Sequence, residues 1–430
     1  MSRPRVITGP ILFFSLVACA RAPQAGPGRP PAAAAAPSAA VSAPTASSVA
    51  AGLPSKDAAL ALHRAAIVVD THNDVTQRLM IQNVDLAKHL PDGQTDLPRM
   101  REGGLDAEFL SVFVVPMLYP QEKAYQQALA QFDAIDKLIA ANAGSSVLAR
   151  TSTDVRKAAA EGKTAFLIGV EGGHALGDAP DAELLKRLEQ FYARGARYMT
   201  LTWSNSNRIG GSSGDDGKER GLTPFGKEVV LKMNELGMLV DISHVSDASF
   251  FDAVHTSKRP VLASHSSARA LSPHPRNMTD DMLRAVRDNG GAVCVNFGPQ
   301  FLDASWAKAE DELHARHAPE MKALFAQANS DPKAAQAGIW KLFAELGGQL
   351  PRVPASLVID HNAHVASVAG IDHVCLGSDY DGIAVAPAGL DDVSKLPYVT
   401  EELLRRGFSG ADVRKVLGEN VLRVLAASEH

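Results

Sequence analysis

Cysteine is scarce in this chain: there are three in 430 residues, Cys19, Cys294 and Cys375. That excludes a disulfide-stapled scaffold and an all-thiolate structural zinc site. Positive charge is not concentrated either. Lys plus Arg number 43 against 48 Asp plus Glu, a net charge of -5, and no long basic run occurs, so nothing builds the cationic face that a nucleic-acid backbone requires. No Gly-rich phosphate fingerprint follows the first apolar run, and no internal repeat of solenoid period is evident. What is present is the composition of a soluble globular protein, 46% hydrophobic and 21% charged, on a length that suits one large barrel with additions.

The N-terminus reads separately. Arg3 and Arg5 precede an apolar stretch, 7–18, that is too short to span a bilayer as a mature helix and has the form of a secretion signal. It closes on Leu16-Val17-Ala18-Cys19, which resembles the lipobox of bacterial lipoproteins, where cleavage leaves a cysteine that takes lipid. Residues 19–55 are Ala, Pro, Ser and Gly with few larger apolar side chains, too little to offset the entropy of ordering, so they form a tether. The expected organisation is therefore a signal peptide over 1–18, a tether over 19–55 and a catalytic domain over 56–430, exported and held at the membrane through Cys19.

From there, short β-branched runs alternate with amphipathic segments, the pattern of βα units around a parallel sheet. Eight runs stand out: 66–70, 107–115, 165–170, 198–202, 238–242, 260–263, 291–297 and 373–377. Helices are expected between them over 121–141, 182–193, 224–236, 247–255, 279–287 and 356–369, several opened by Thr, Ser or Asp as cap residues. Eight alternations predict an α/β fold of the (β/α)8 TIM-like barrel class, with a helical insertion in the long stretch 301–348 between the seventh and eighth strands.

In such a barrel, chemistry occurs at the carboxyl ends of the strands. The first run ends in Asp70-Thr71-His72-Asn73-Asp74, where His72 and Asp74 share a side if the strand continues through them. The third ends in Val170-Glu171-Gly172-Gly173, the fifth in Asp241-Ile242-Ser243-His244, the sixth in Ser264-His265-Ser266 and the eighth in Gly377-Ser378-Asp379-Tyr380-Asp381-Gly382. Taken singly, each His or Asp is an ordinary structural or capping residue. Three histidines and three carboxylates on one rim are hard to explain by packing, because carboxylates brought together repel unless a cation lies between them. Imidazole and carboxylate donors suit zinc or a similar divalent ion. Five ligands exceed what one tetrahedral catalytic zinc uses, so two ions fit better, with Glu171 as bridge, His72 and Asp74 on one ion and His244 and His265 on the other. Such a pair binds a shared hydroxide and polarises a carbonyl, which is hydrolase chemistry.

These pieces, together with Ser264-His265-Ser266-Ser267-Ala268 and Arg276-Asn277, resemble in order and combination the membrane (renal) dipeptidases, a branch of the metal-dependent amidohydrolase barrels. The resemblance runs from about Ala59 to Leu425. It implies two Zn2+ ions held by His72, Asp74, Glu171, His244 and His265, with attack by a metal-bridging hydroxide on the peptide bond of a dipeptide. It further implies Asp379 as general acid/base and Arg276 as the grip on the substrate's carboxylate, and it brings a tendency to form homodimers. The fourth strand departs from the family by ending in Trp203, where the renal enzymes carry a histidine that contacts substrate. That leaves N-acyl amino acids, lactams and other small amides open as substrates, and a non-catalytic peptide-binding lipoprotein is the reading from another class.

Several residues invite a functional reading and are assigned other work. Asp381 lies two residues after Asp379 and just before a glycine, which suits turn duty. His361 and His364 lie within a predicted helix and are read as structural. His174 falls close to the metal ligands without a role assigned to it. Cys294 and Cys375, inside predicted strands, are expected to be buried, inert thiols.

Overall fold

The computed structural model describes residues 55–429; Cys19, the signal peptide and all but the last residue of the tether lie outside these. Nine parallel strands form one sheet: β1 Val69–Asn73, β2 Ala107–Phe113, β3 Ser146–Leu148, β4 Thr164–Glu171, β5 Ala196–Thr200, β6 Leu239–Asp241, β7 Leu262–Ala263, β8 Ala292–Val295 and β9 Val374–Leu376. Their order is β2-β1-β9-β8-β7-β6-β5-β4-β3, and β2 also pairs with β4 from Ala107↔Ala165 to Phe113↔Glu171. That pairing closes eight strands into the expected barrel. The short β3 was not anticipated. It adds to the first residues of β4 alone, Ser146↔Thr164 to Leu148↔Phe166, outside the closed ring.

Side chains alternate along each strand. Val69, Phe109, Leu167, Tyr198, Leu239, Leu262 and Cys294 form a buried cluster with Val421, Leu422 and Leu425 of the last helix, Asn420–Ser428. Leu110, Ile168, Val170, Met199, Val240 and Val293 point the other way and pack on the surrounding helices. Those helices begin and end where the sequence signals them. Thr223, Ser246 and Thr279 accept from the third backbone N–H of their helices, and Gly195, Gly237 and Gly290 close theirs in the left-handed conformation.

Between β8 and β9 lie helices Ala304–Arg316, Ala318–Gln327 and Pro332–Gly347. Ala335 and Ile339 of the last bury against Phe113, Val115 and Leu118, the residues leading out of β2. A buried amide ladder adds to this, since Gln336 Nε2 donates to Gln77 Oε1 at 2.8 Å and Gln77 Nε2 donates to the Phe113 carbonyl at 2.9 Å. Among the described residues no helix is long and apolar enough to cross a membrane.

One expectation is corrected. Cys294 and Cys375 are not thiols: they sit opposite each other in the β8–β9 register and are joined by a disulfide. Two strands 81 residues apart in the chain bring them together, a proximity that depends on register and is invisible to a residue count.

Candidate metal centre

The strand ends are tied to one another before they hold anything else. The Asp70 carboxylate accepts from Ser378 N at 2.8 Å and from the Ser378 hydroxyl, which joins β1 to β9. Asp241 does the same for three strands, accepting from Thr200 Oγ1 at 2.5 Å, Ser243 N at 3.0 Å, Ser264 N at 2.9 Å and Ser264 Oγ at 2.7 Å. Both carboxylates are buried.

On this frame the histidines are oriented one by one. His72 Nδ1 lies 2.8 Å from the Tyr198 hydroxyl, which donates onward to the Thr71 carbonyl at 3.1 Å, so the proton of His72 belongs on Nδ1. Its Nε2 is left buried with no hydrogen-bond partner, 3.4 Å from Glu171 Oε2 and 3.8 Å from Asp74 Oδ2. His265 follows the same rule: Nδ1 meets Ser264 Oγ at 2.7 Å, and that hydroxyl is already committed as donor to Asp241. His244, held at a left-handed φ of 66°, places Nδ1 3.4 Å from Ser204 Oγ. The Nε2 atoms of His244 and His265 lie 2.8 Å apart and 3.0 and 3.6 Å from Glu171 Oε1. Glu171 thus turns one oxygen to His72 and the other to the His244–His265 pair.

The donor set fits divalent cations. His72, Glu171 and His265 form one group with donor atoms within 4.8 Å of one another, and His72, Asp74 and Asp379 form a second. Burial, then neighbouring positive charge, holds His244 and His265 well below the usual histidine range, as the neutral imidazoles that metals need. Burial, with Asp74 adding its charge, lifts Glu171 to about 7 and Asp379 to about 6. Carboxylates crowded in this way are stabilised by a cation among them.

Asp379 leaves β9 at a φ of 62°, and its Oδ2 accepts from Asn296 Nδ2 at 2.9 Å. Arg276 reaches in from the segment before helix Asp280–Asn289. It is 7% exposed, donates to the His265 carbonyl at 3.1 Å and Ser266 Oγ at 3.4 Å, and leaves Nε unpartnered. Burial brings it down to about 10, still a cation at neutral pH. Trp203 stands beside the cluster, with its ring centroid 4.8 Å from that of Phe113 and 6.3 Å from that of His244. His72, Asp74, Glu171, His244, His265 and Asp379 therefore meet at one rim, with Arg276 and Trp203 beside them; Cys19, expected to carry lipid, lies outside the described residues.

The other residues weighed from sequence are outside the two donor groups and are held by hydrogen bonds of their own. His361 Nδ1 accepts from Ala268 N at 3.0 Å, and His364 pairs with Asp280 at 2.8 Å; both serve packing. His174 Nε2 bonds to the Val114 carbonyl at 2.7 Å. Asp381 accepts from Gln94 N at 2.9 Å, a contact between distant segments of the chain and not the local turn bond expected of it. Sequence reasoning passed over Tyr198, Ser264, Asn296 and the bridging work of Asp241. Their signal was present as polar residues in or just after otherwise apolar strands. Gly169, on β4, has no side chain where the Tyr198 ring lies, and a methyl group there would overlap that ring.

A buried imidazole–carboxylate cluster at the carboxyl rim of a TIM barrel defines a metal-dependent hydrolase. The family model for membrane dipeptidases, peptidase family M19, matches residues 56–430, so the chain belongs to that family of metallo-dipeptidases. Solved structures agree. The probable dipeptidase PvdM from Pseudomonas aeruginosa is similar at 26% identity and a TM-score of 0.73, over 87% of this chain and 98% of that one. A metallopeptidase from Rhodobacter sphaeroides, liganded with a phosphinate mimic of the dipeptide L-Ala-D-Ala, is similar at 27% identity and a TM-score of 0.68, over 85% of this chain and 100% of that one. A family M19 metallopeptidase, dipeptidase AC, gives 28% identity and a TM-score of 0.68, over 84% and 98%.

Proposed function

We propose that this chain is an exported, lipid-anchored dipeptidase that uses two zinc ions. The observation that carries the reading is the split carboxylate of Glu171, with Oε2 at 3.4 Å from His72 and Oε1 at 3.0 Å from His244. His72, Asp74 and Glu171 would hold one ion, and Glu171, His244 and His265 the other. Bound there, such a pair would supply Lewis acidity toward the scissile carbonyl and toward an attacking water. Asp379, buried and fixed by Asn296, takes the proton of that water and delivers it to the leaving amine. Arg276 offers its guanidinium fork to the free carboxylate of the substrate. Trp203 gives the substrate an apolar wall in place of an imidazole, and this supports a second reading in which N-acyl amino acids or lactams are the better substrates.

The test is turnover of L-Ala-L-Ala, L-Ala-D-Ala and N-acetyl amino acids side by side, before and after chelation and after return of zinc. Loss of dipeptide hydrolysis on chelation and recovery with zinc are expected. Undiminished turnover by metal-free protein overturns the reading, a faster rate on N-acyl amino acids selects the alternative, and less than one bound ion per chain favours a non-catalytic binding protein.

Export is supported by the Cys294–Cys375 disulfide, a bond that persists in oxidising compartments. Cleavage before Cys19, lipid on that cysteine and a tether over 19–55 place the barrel at the membrane surface, facing the periplasm or the exterior. Replacement Cys19→Ala is expected to move the protein from the membrane fraction to the soluble one; unchanged fractionation counts against the anchor.

A further inference from the structure

The turn that carries Asp379 is held from two sides. On one, backbone ties it to β1: Asp379 N donates to the His72 carbonyl at 3.0 Å, and Asp74 N donates to the Tyr380 carbonyl at 2.9 Å. On the other, Asp381 and Gln94 grip each other reciprocally. Asp381 Oδ1 accepts from Gln94 N at 2.9 Å, and Asp381 N donates to Gln94 Oε1 at 2.6 Å. The segment that Gln94 belongs to is itself braced by two buried guanidinium groups. Arg78 Nη1 donates to the Asp92 carbonyl at 3.0 Å and lies 3.7 Å from Asp381 Oδ1, while Arg99 Nη1 donates to the Gly93 carbonyl at 2.8 Å.

Two non-glycine residues in this turn, Asp379 and Asp381, have left-handed φ values of 62° and 61°. Such a pair persists only where the surroundings enforce it. The enforcement matters at the next residue. Gly382 lies directly against the carboxylates of both Asp74 and Asp379, so closely that a methyl group there would overlap each of them. The backbone of the turn is therefore the surface on which these two carboxylates rest.

We propose that Asp381, gripped by Gln94 and braced by Arg78, is a positioning residue that holds the 379–382 turn against Asp74 and Asp379 and so fixes both carboxylates at the metal centre. This rests on the reading of those two as metal-binding and proton-transfer groups, and the test separates the two claims. Cobalt(II) titration of the full chain, followed by its visible absorption, reads the donor geometry whether or not any dipeptide is hydrolysed. The pH profile of kcat reads Asp379.

Asp381→Ala is expected to weaken cobalt affinity and lower kcat by about tenfold or more, with KM for the dipeptide changed less than about twofold, as is typical when partners behind metal ligands are lost. Asp381→Asn, which keeps the acceptor for Gln94 N, restores most of both. Gln94→Ala removes the grip from the opposite side and reproduces the Asp381→Ala losses in milder form, including a displaced pH profile, even if Asp381→Ala does not fold. Cobalt affinity and kcat profile of wild-type character in Gln94→Ala, or an Asp381→Asn protein no better than Asp381→Ala, overturn the proposal. Absence of dipeptide turnover in the wild-type protein, with the cobalt differences intact, instead counts against the proposed substrate and leaves the positioning role supported.

Discussion

Tyr198 and Ser264 show what single residues contribute here. Neither belongs to the donor groups, yet each takes the Nδ1 side of a histidine and leaves Nε2 turned to the cluster. Removing such a partner lets the ring rotate and lowers its basicity. The replacements Tyr198→Phe and Ser264→Ala are each expected to reduce zinc affinity about 10- to 100-fold while the far-ultraviolet circular dichroism stays unchanged. Competition against a chromophoric chelator measures this; an affinity within twofold of wild type contradicts it. The histidines themselves were legible, because they stand at the ends of apolar runs. Their orienting partners were not, because a tyrosine or serine near a strand end reads equally well as ordinary β-sheet chemistry.

At the scale of elements, β8 and β9 are joined twice. The Cys294–Cys375 disulfide links them in register, and two residues beyond Cys294 the Asn296 amide bonds to Asp379, four residues beyond Cys375. A crosslink that closes an 81-residue loop stabilises mainly by restricting the unfolded chain, by about 4.5 kcal/mol in the loop-entropy description. Replacing both cysteines by alanine is accordingly expected to lower the midpoint of denaturant unfolding, and reductant added to the wild-type protein under unfolding conditions has the same effect. Equal midpoints for the wild-type and double-alanine proteins would show that the bond does not form in solution. Strand and helix positions were largely readable from hydrophobic period and caps: the helices Pro224–Leu236 and Ser356–Ala369 begin and end where periodicity places them. The additional β3 escaped because three residues are too few to establish a period.

For the molecule as a whole, acid is the condition that tests the packing. His361 is buried at 1% exposure, and burial first of all holds it down to about 4 from an ordinary 6.5. His174 and His274 are lowered to about 4 for the same leading reason. The unfolded chain takes up these protons near pH 6.5 and the folded chain refuses them until about pH 4. Stability is therefore complete above pH 6.5 and lost as pH falls toward 4, by about 3 kcal/mol for His361 alone. Unfolding free energies measured across that window are expected to fall steeply for the wild-type protein and less steeply for His361→Gln. Identical slopes in the two proteins would remove His361 as a cause.

The sequence by itself determined the barrel and the chemical kind of its rim. An eightfold alternation of apolar runs has few ways to bury its faces, and histidines and carboxylates at the carboxyl ends of parallel strands can only converge on one mouth. Tertiary structure alone decided which Nε2 atoms are left free, how Glu171 divides its two oxygens, that Cys294 meets Cys375, and that Asp381 grips Gln94. Each of these depends on strand register and rotamer between residues far apart in the chain, set by the packing of the whole barrel and by no local pattern.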